Sequence, residues 1–176
     1  TILDSSGRAL QEGVVARPHL IKPNRTELLQ LLRCLDPTGY DSPDPGLEPA
    51  ADTGPVGSEE ALADAARTLL DAGVEAVVVS MGAAGAMAVT PQGAWLARAP
   101  AVKMVNPIGA GDSTVAALGH GLSRGVRFPE LLALGVAAGS ADVTTFGPGV
   151  ITQGAVDALK ARVTVTALRP APADLS

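Results

Sequence analysis

Hydrophobic residues along this 176-residue chain follow two spacings, and short extended runs alternate with longer helical ones. Leucines recur at helical intervals in residues 26–35, whereas residues 76–79 form an Ala-Val-Val-Val run that is typical of a buried parallel strand. Such patterns predict strands at 2–4, 20–22, 76–79 and 102–105, a hairpin of 86–89 with 94–97, and helices at 8–16, 26–35, 58–72, 112–124, 129–143 and 152–159. This alternation predicts an α/β fold in which a mostly parallel sheet is flanked by helices and ligands bind at the carboxyl ends of the strands.

Residues 36–57 interrupt this periodicity. The segment carries five prolines and five acidic residues and offers no hydrophobic face. Ordering it would cost chain entropy without compensating burial, so the composition predicts an exposed, flexible insertion. We therefore expect one domain over residues 1–168 that contains this insertion, followed by a tail at 169–176.

Composition narrows the class of protein. Hydrophobic residues make up 47% of the chain but aromatic residues only 2%, so the core has to be built from Ala, Val and Leu. A formal net charge of −5 argues against a nucleic-acid surface, and no apolar run is long enough to cross a membrane. Cys34 is the only cysteine, which excludes an internal disulfide and is compatible with a reducing cytoplasm.

The segment from Asn106 to Ser113 carries the strongest chemical signal. It predicts a tight turn that feeds directly into a helix, because Gly109 and Gly111 permit backbone angles closed to other residues. The first turn of such a helix presents unpaired N–H groups and the positive end of a dipole, which together form an anion site. Asp112 would repel a phosphate, but it suits a base that takes the proton of a hydroxyl attacking a phosphoryl group. An Asp N-cap is the alternative, and these residues alone leave both interpretations open.

Three further groups follow predicted strands and should meet at the same sheet edge. Asn24 and Glu27 lie one helical turn apart and could hold a hydrated Mg²⁺, although a capping box explains the same spacing. Lys22 could contact phosphate or could be a solvated lysine. The small residues within 80–85 would let a nucleotide approach the backbone, unless the segment forms a hairpin turn that needs glycine.

Several segments, taken in order, resemble one family. Residues 106–112, Asn-Pro-Ile-Gly-Ala-Gly-Asp, resemble the GAGD signature of the PfkB (ribokinase-like) carbohydrate kinases, in the form found in the 1-phosphofructokinase and tagatose-6-phosphate kinase branch. Residues 22–28 are similar to the KPNxxEL segment of that family, residues 77–86 to its nucleotide-contacting strand and turn, and residues 135–149 to its last helix and loop. The opening residues 3–7 fit as well, so the resemblance spans nearly the whole chain.

The resemblance implies a ribokinase-like fold and transfer of the γ-phosphoryl group of ATP to a hydroxyl of a phosphorylated ketohexose. In this scheme Asp112 is the base, the amides of Gly109, Ala110 and Gly111 stabilise the transferred group, and Asn24 and Glu27 position Mg²⁺. The positions assigned to the nucleotide are Lys22, Asn24, Ser80, Gly82 and Gly85, together with Val136, Gly139 and Ser140 on the helix that lines the adenine pocket. Gly147 and Gly149 resemble a loop whose carbonyls hold K⁺ in part of the family.

Members of the family are about twice as long as this chain. The resemblance therefore implies that the N-terminal half, with most of the sugar-contacting residues and a small β lid, is absent here. We expect a fragment that associates with that half or forms a homodimer, and the acceptor could be fructose 1-phosphate, tagatose 6-phosphate or fructose 6-phosphate. A non-catalytic nucleotide-binding module and a plain α/β scaffold are the alternatives from other classes.

Overall fold

A computed structural model describes residues 1–35 and 58–170 of the chain. The insertion predicted at 36–57, and the part of the predicted tail beyond residue 170, lie outside the described residues. The elements in chain order are β1 (Ile2–Leu3), α1 (Gly7–Val14), β2 (Leu20–Ile21), α2 (Arg25–Leu35), α3 (Glu59–Asp71), β3 (Ala76–Ser80), a 3₁₀ turn (Gly82–Ala84), β4 (Ala86–Thr90), β5 (Gly93–Arg98), α4 (Ala110–Ser123), α5 (Phe128–Asp142), α6 (Gln153–Lys160) and β6 (Thr164–Pro170).

The six strands form one mixed sheet whose spatial order is the order of the sequence. β1, β2 and β3 pair in parallel, and each crossover carries helices, as the alternating pattern predicted. β4, β5 and β6 continue the sheet by antiparallel pairing, so the antiparallel part is one strand larger than the predicted hairpin. Four of the six strands, β1, β2, β3 and β5, nevertheless point in the same direction.

Each face of the sheet buries its own hydrophobic cluster. Along β3, Val77 and Val79 point to one face and pack with residues of α1, α2 and α3, whereas Ala76 and Val78 point to the other and pack with α4 and α5. This division follows from the two-residue repeat of a strand, which sends successive side chains to opposite sides. Both faces are covered, which explains why β3 is an almost continuous apolar run.

Small residues set the contact between α4 and α5. A β-carbon at Gly139 of α5 would lie 2.6 Å from Thr114 Oγ1 and 3.1 Å from the Ala110 carbonyl oxygen of α4. At the other end of the pair, a β-carbon at Gly121 would collide with the side chain of Leu131. The two helices therefore approach more closely than larger residues at these positions would allow.

One predicted strand is absent from the structure, and one observed strand was not predicted. Residues 102–105 do not form a strand: they lie mostly exposed between β5 and α4, and the Val105 amide donates to the Val143 carbonyl instead of to a neighbouring strand. The edge of β5 that does not pair with β4 pairs with β6, a strand that the sequence did not lead us to predict. This strand extends past residue 168, the predicted limit of the domain.

The predicted helix starting at Ser58 is confirmed, since the Ser58 hydroxyl accepts from the Ala61 amide at 3.1 Å. Within residues 1–35 and 58–170, no helix is long and apolar enough to cross a bilayer.

Candidate functional site

The glycine-rich turn leads directly into α4, whose N-cap is Gly109 in the left-handed region with φ of 95°. The Ser113 amide is the first to donate within the helix, to the Gly109 carbonyl at 2.9 Å. The amides of Ala110, Gly111 and Asp112 consequently have no acceptor inside the helix. Asp112 is the third residue of the helix and not its cap, so the Asp N-cap alternative was wrong. The turn thus presents three backbone donors at the positive end of a helix dipole.

Asn106 shapes the approach to this turn. Its side-chain oxygen accepts from the Ile108 amide at 3.0 Å, while its amide nitrogen donates to the Phe146 carbonyl at 3.0 Å. Gly109 is enclosed on its other side, because a β-carbon there would lie 2.5 Å from Pro148 Cβ and 2.7 Å from Asp142 Oδ2. Glycine is therefore required at residue 109 both by the backbone angle and by the available space.

Lys22 connects the sheet to the turn. Its side chain is buried, with Nζ 3.2 Å from Asp4 Oδ1, and a β-carbon at Gly111 would lie only 3.7 Å from the same nitrogen. The ammonium group therefore lies where β1 and β2 end and where the first turn of α4 begins. This placement excludes the solvated-lysine alternative and adds a positive charge beside the unpaired amides.

Asn24 and Glu27 form a reciprocal capping box at the start of α2. The Glu27 amide donates to Asn24 Oδ1 at 2.8 Å, and the Asn24 amide donates to Glu27 Oε2 at 2.8 Å. The structure thus contains the capping box that the spacing of the two residues allowed. It uses only one oxygen of the carboxylate, which leaves Oε1 of Glu27 available to water ligands of a hydrated Mg²⁺, a role that no contact in the structure tests.

The turn after β3 lies beside this capping box. Asn24 and Ser80 form an isolated parallel bridge, and the Ser80 amide donates to the Pro23 carbonyl at 2.9 Å. Gly82, with φ of 57°, has open space where a side chain would be, as a backbone contact to a ligand requires. Gly85 differs, since a β-carbon there would collide with the Ala97 carbonyl of β5. Packing against β5 thus accounts for the glycine at 85, and its predicted contact with nucleotide has no support in this geometry.

The structure does not place the predicted adenine-lining residues at an open surface. Val136, Gly139 and Ser140 are all buried, and the space beside Gly139 is filled by α4. For Gly139 the close helix contact explains the residue type without a ligand. For Val136 and Ser140 a contact with the base remains a prediction.

Asp112 is exposed, and within residues 1–35 and 58–170 its carboxylate makes no hydrogen bond or ion pair. A carboxylate in that state is available to accept a proton from a bound alcohol.

No group of three or more His, Cys, Asp or Glu side chains in the described part of the chain could hold a metal ion by itself. A groove of about 450 Å³ lies at the opposite edge of the sheet, next to His19 and Val74, away from all of these residues.

Two residues of the site region were missed by the sequence analysis. Asp4 appeared only as part of a matching segment, and the partnership with Lys22 depends on two strands that lie far apart in the sequence. Asp142 was overlooked although it is the one charged residue between 131 and 142 in a helix that is otherwise apolar. A single acid inside such a run is a signal that could have identified it.

Comparisons with known proteins identify the family of the chain. A family model described as pfkB family carbohydrate kinase matches residues 1–153. The 1-phosphofructokinase of Bacillus subtilis is 34% identical over 167 residues, which cover 95% of this chain and 48% of that protein. The tagatose-6-phosphate kinase of Staphylococcus epidermidis is 36% identical over 135 residues, which cover 75% of this chain and 37% of that protein.

A solved structure supports the same fold. The phosphofructokinase-2 of Escherichia coli in complex with potassium is similar to this chain with a TM-score of 0.74 at 29% identity, covering 92% of this chain and 46% of that one. The fold is ribokinase-like. The chain spans about half the length, or less, of the relatives that it matches.

Proposed function

This chain belongs to the pfkB family of carbohydrate kinases, and we propose that it forms the nucleotide-binding and catalytic half of an ATP-dependent sugar-phosphate kinase. One observation carries the proposal: the buried Lys22 ammonium lies beside Gly111, at three unpaired amides, with the exposed carboxylate of Asp112 on the same helical turn. This arrangement places donors for a phosphoryl group next to a base that can activate an alcohol.

In the proposed reaction Asp112 takes the proton of the sugar hydroxyl as its oxygen attacks the γ-phosphorus of ATP. The amides of Ala110, Gly111 and Asp112, with the dipole of α4 behind them, stabilise the negative charge on the transferred group. One such preorganised donor is worth about 3 kcal/mol in the transition state. Lys22 adds a full positive charge at the same place, and Asp4 holds its side chain in position. Gly109 gives the turn its shape.

The proposal includes two cations. Mg²⁺ would neutralise phosphate charge when bound, and Glu27 Oε1 and Asn24 are the groups of this chain that would hold its water ligands. A monovalent cation belongs to the proposal because the E. coli phosphofructokinase-2 is described in complex with potassium. The carbonyls of the loop that contains Gly147 and Gly149 are suitable oxygen donors for it.

For the acceptor we propose a phosphorylated ketohexose, on the basis of the names of the relatives. Fructose 1-phosphate and tagatose 6-phosphate are the candidates that 1-phosphofructokinase and tagatose-6-phosphate kinase suggest, with fructose 6-phosphate as the third. Residues that would choose among them are expected in the half of the relatives that this chain does not cover. We also propose that this chain associates with such a half or with a second copy of itself. The enzyme would then act in the cytoplasm.

A second candidate is a nucleotide-binding module without catalysis. The three amides at the start of α4 and Lys22 are sufficient for such binding, and all of them lie in this chain. The two candidates share ATP binding and differ in turnover.

The test measures both properties. ATP binding to the 176-residue chain is measured by calorimetry, and turnover with each of the three sugar phosphates is measured in the full-length protein that contains this sequence. Binding together with turnover that depends on Asp112 supports the kinase. Binding without turnover in the full-length protein supports the module, and absence of ATP binding in both forms overturns both candidates.

A further inference from the structure

Asp4 compensates the charge of Lys22 where the ends of β1 and β2 meet the first turn of α4. The strand register places Leu3 opposite Ile21, and the Lys22 amide donates to the Leu3 carbonyl at 3.1 Å, so the two residues that follow lie side by side. In residues 1–35 and 58–170, Asp4 is the one acid that forms an ion pair with Lys22. The buried ammonium group therefore has a counter-ion within the protein itself.

The candidate site contains more acid than the binding of phosphate alone would favour. Asp112 adds a second carboxylate on the first turn of α4, so that two acidic side chains and one ammonium group lie near the amides proposed to hold a phosphoryl group. A carboxylate near a bound phosphate raises the electrostatic energy of the complex. Proton transfer accounts for Asp112, the proposed base, but it does not account for the charge of Asp4.

Lys22 can contact Asp4 and a phosphate at the same time. An ammonium group has three donors, and the carboxylate of Asp4 occupies one of them, with Oδ1 at 3.2 Å from Nζ. The same nitrogen lies beside Gly111, where a β-carbon would be 3.7 Å away. A phosphate at this turn would therefore share the ammonium group with a carboxylate. It gains less free energy than it would from a lysine without a counter-ion, since the pair as a whole carries no net charge.

We propose that Asp4 is a built-in counter-ion that limits the affinity of the site for the transferred phosphoryl group of ATP, in addition to holding Lys22 in position. Tighter binding of ATP before the reaction would not accelerate it, because only interactions that strengthen in the transition state do so. A charge that moderates ground-state binding is therefore compatible with catalysis. This role rests on the proposed function, in which Lys22 and the amides at the start of α4 hold that group.

A counter-ion at this place acts differently on ATP and on ADP. Lys22 lies at the turn proposed for the transferred group, and electrostatic energy falls with distance, so the charge of Asp4 affects the γ-phosphate more than the other two phosphates. ATP binding should therefore respond to the charge of Asp4, whereas ADP binding should barely respond. A residue that only stabilised the fold would change the melting temperature and leave the ratio of the two affinities unchanged.

The experiment measures ATP and ADP binding by calorimetry, at low ionic strength and with Mg²⁺, in the 176-residue chain and in the full-length protein that contains it. Asp4→Asn is the central variant, because its side-chain oxygen can still accept from Lys22 while the charge is removed. Asp4→Glu keeps the charge, and Asp157→Asn is the matched control, since Asp157 is exposed on α6 and accepts from Gln153. Thermal unfolding of each variant reports on the fold.

We expect Asp4→Asn to bind ATP about tenfold more tightly than the wild type, since removal of one nearby negative charge is worth about that factor close to a protein surface. Its affinity for ADP should match that of the wild type, and Asp4→Glu and Asp157→Asn should match the wild type for both nucleotides. In the full-length protein, Asp4→Asn should lower KM for ATP without raising kcat. Unchanged or weaker ATP binding in Asp4→Asn, or an equal gain for ADP, overturns the proposal.

Should Asp4→Asn fail to fold, Asp4→Ser, a smaller neutral acceptor, takes its place in the same measurements. If neither neutral variant folds, Asp4 serves the fold, and its role in limiting affinity is rejected. Absence of ATP binding to the wild type in both forms overturns the proposed function. Wild-type binding without a gain in the neutral variant overturns only the role of Asp4, so the two failures are distinguishable.

Discussion

The Lys22 ammonium nitrogen lies 3.2 Å from Asp4 Oδ1, and each residue directly follows one of two paired parallel strands. Parallel pairing brings the carboxyl ends of β1 and β2 together, so residues that are 18 positions apart become neighbours. The ion pair is largely shielded from solvent, with 8% of the Lys22 side chain and 29% of the Asp4 side chain exposed. It directs a long, flexible side chain toward Gly111, at the anion site.

Replacing Lys22 with Met should weaken ATP binding by about 10- to 100-fold, because a charge-assisted contact to phosphate is worth about 1.5–3 kcal/mol. The measurement is calorimetry with the 176-residue chain. Lys103→Met serves as the control, since Lys103 is exposed in the connection before α4. Equal affinity in wild-type protein and Lys22→Met would remove Lys22 from the phosphate site.

Replacing Asp112 with Asn should lower kcat of the full-length protein by about 10²- to 10⁴-fold, since the proton acceptor is lost. Affinity for ATP should stay within a few-fold, because the three amides and Lys22 are unchanged. Steady-state kinetics and calorimetry separate the two effects. A variant that retains most of its turnover would show that Asp112 is not the base.

Replacing Glu27 with Gln keeps an oxygen for the Asn24 amide and therefore keeps the capping box. The Mg²⁺ concentration needed for half-maximal activity should rise, while the melting temperature should barely change. Glu60→Gln, an exposed position in the first turn of α3, is the control. A lower melting temperature with unchanged Mg²⁺ dependence would indicate that Glu27 only caps the helix.

Replacing Gly139 with Ala should destabilise the domain by about 1 kcal/mol. The added methyl overpacks the contact with α4 at a cost of about 1–3 kcal/mol, and the gain in helix propensity of about 1 kcal/mol offsets part of it. Thr114 cannot easily move aside, since its hydroxyl donates to the Ala110 carbonyl at 2.8 Å. Gly154→Ala in α6, where nothing lies within 4 Å, should instead be neutral or stabilising. Chemical denaturation measures both, and equal stability of the two variants would contradict the close α4–α5 contact.

The ion pair between Glu130 of α5 and Lys160 of α6, at 2.8 Å, predicts a small pH effect. The hydrogen bond from Lys160, with its charge, lowers the pKa of Glu130. The pair therefore stabilises the fold above the unfolded-state pKa of a glutamate, and this contribution is lost as the pH falls through the lowered folded-state pKa. Glu130→Gln should melt slightly below the wild type near neutral pH and equal to it in acid. Because the carboxylate is exposed, salt should reduce the difference, and a difference that persists in acid would contradict this account.

The strand-forming segments show what the sequence could and could not predict. Apolar periodicity identified β3 and the hairpin, since both are long and buried on two faces. Residues 102–105 and residues 164–170 both contain β-branched residues, but only residues 164–170 pair with the edge of β5, as β6. Local patterning does not distinguish them, as a strand exists only where a partner backbone is available.

The residues of the candidate site also differ in whether the sequence alone could identify them. Gly109 and Asp112 could be recognised because the turn, the helix start and the carboxylate are contiguous in sequence. The capping box of Asn24 and Glu27 was recognisable for the same reason. The partnership of Lys22 with Asp4, and the burial of Asp142 against Gly109, depend on segments that meet only in the folded chain.

The close contact between α4 and α5 restricts how the anion site can move. With Thr114 and Ala110 against Gly139 at one end, and Gly121 against Leu131 at the other, the two helices are in close contact and leave little room to shift against each other. The three amides at the start of α4 are thus carried by a rigid pair of helices. Any closure around a substrate must then come from segments that approach this fixed platform, and motions measured by relaxation dispersion should be absent from α4 and α5 while occurring in the segments around them.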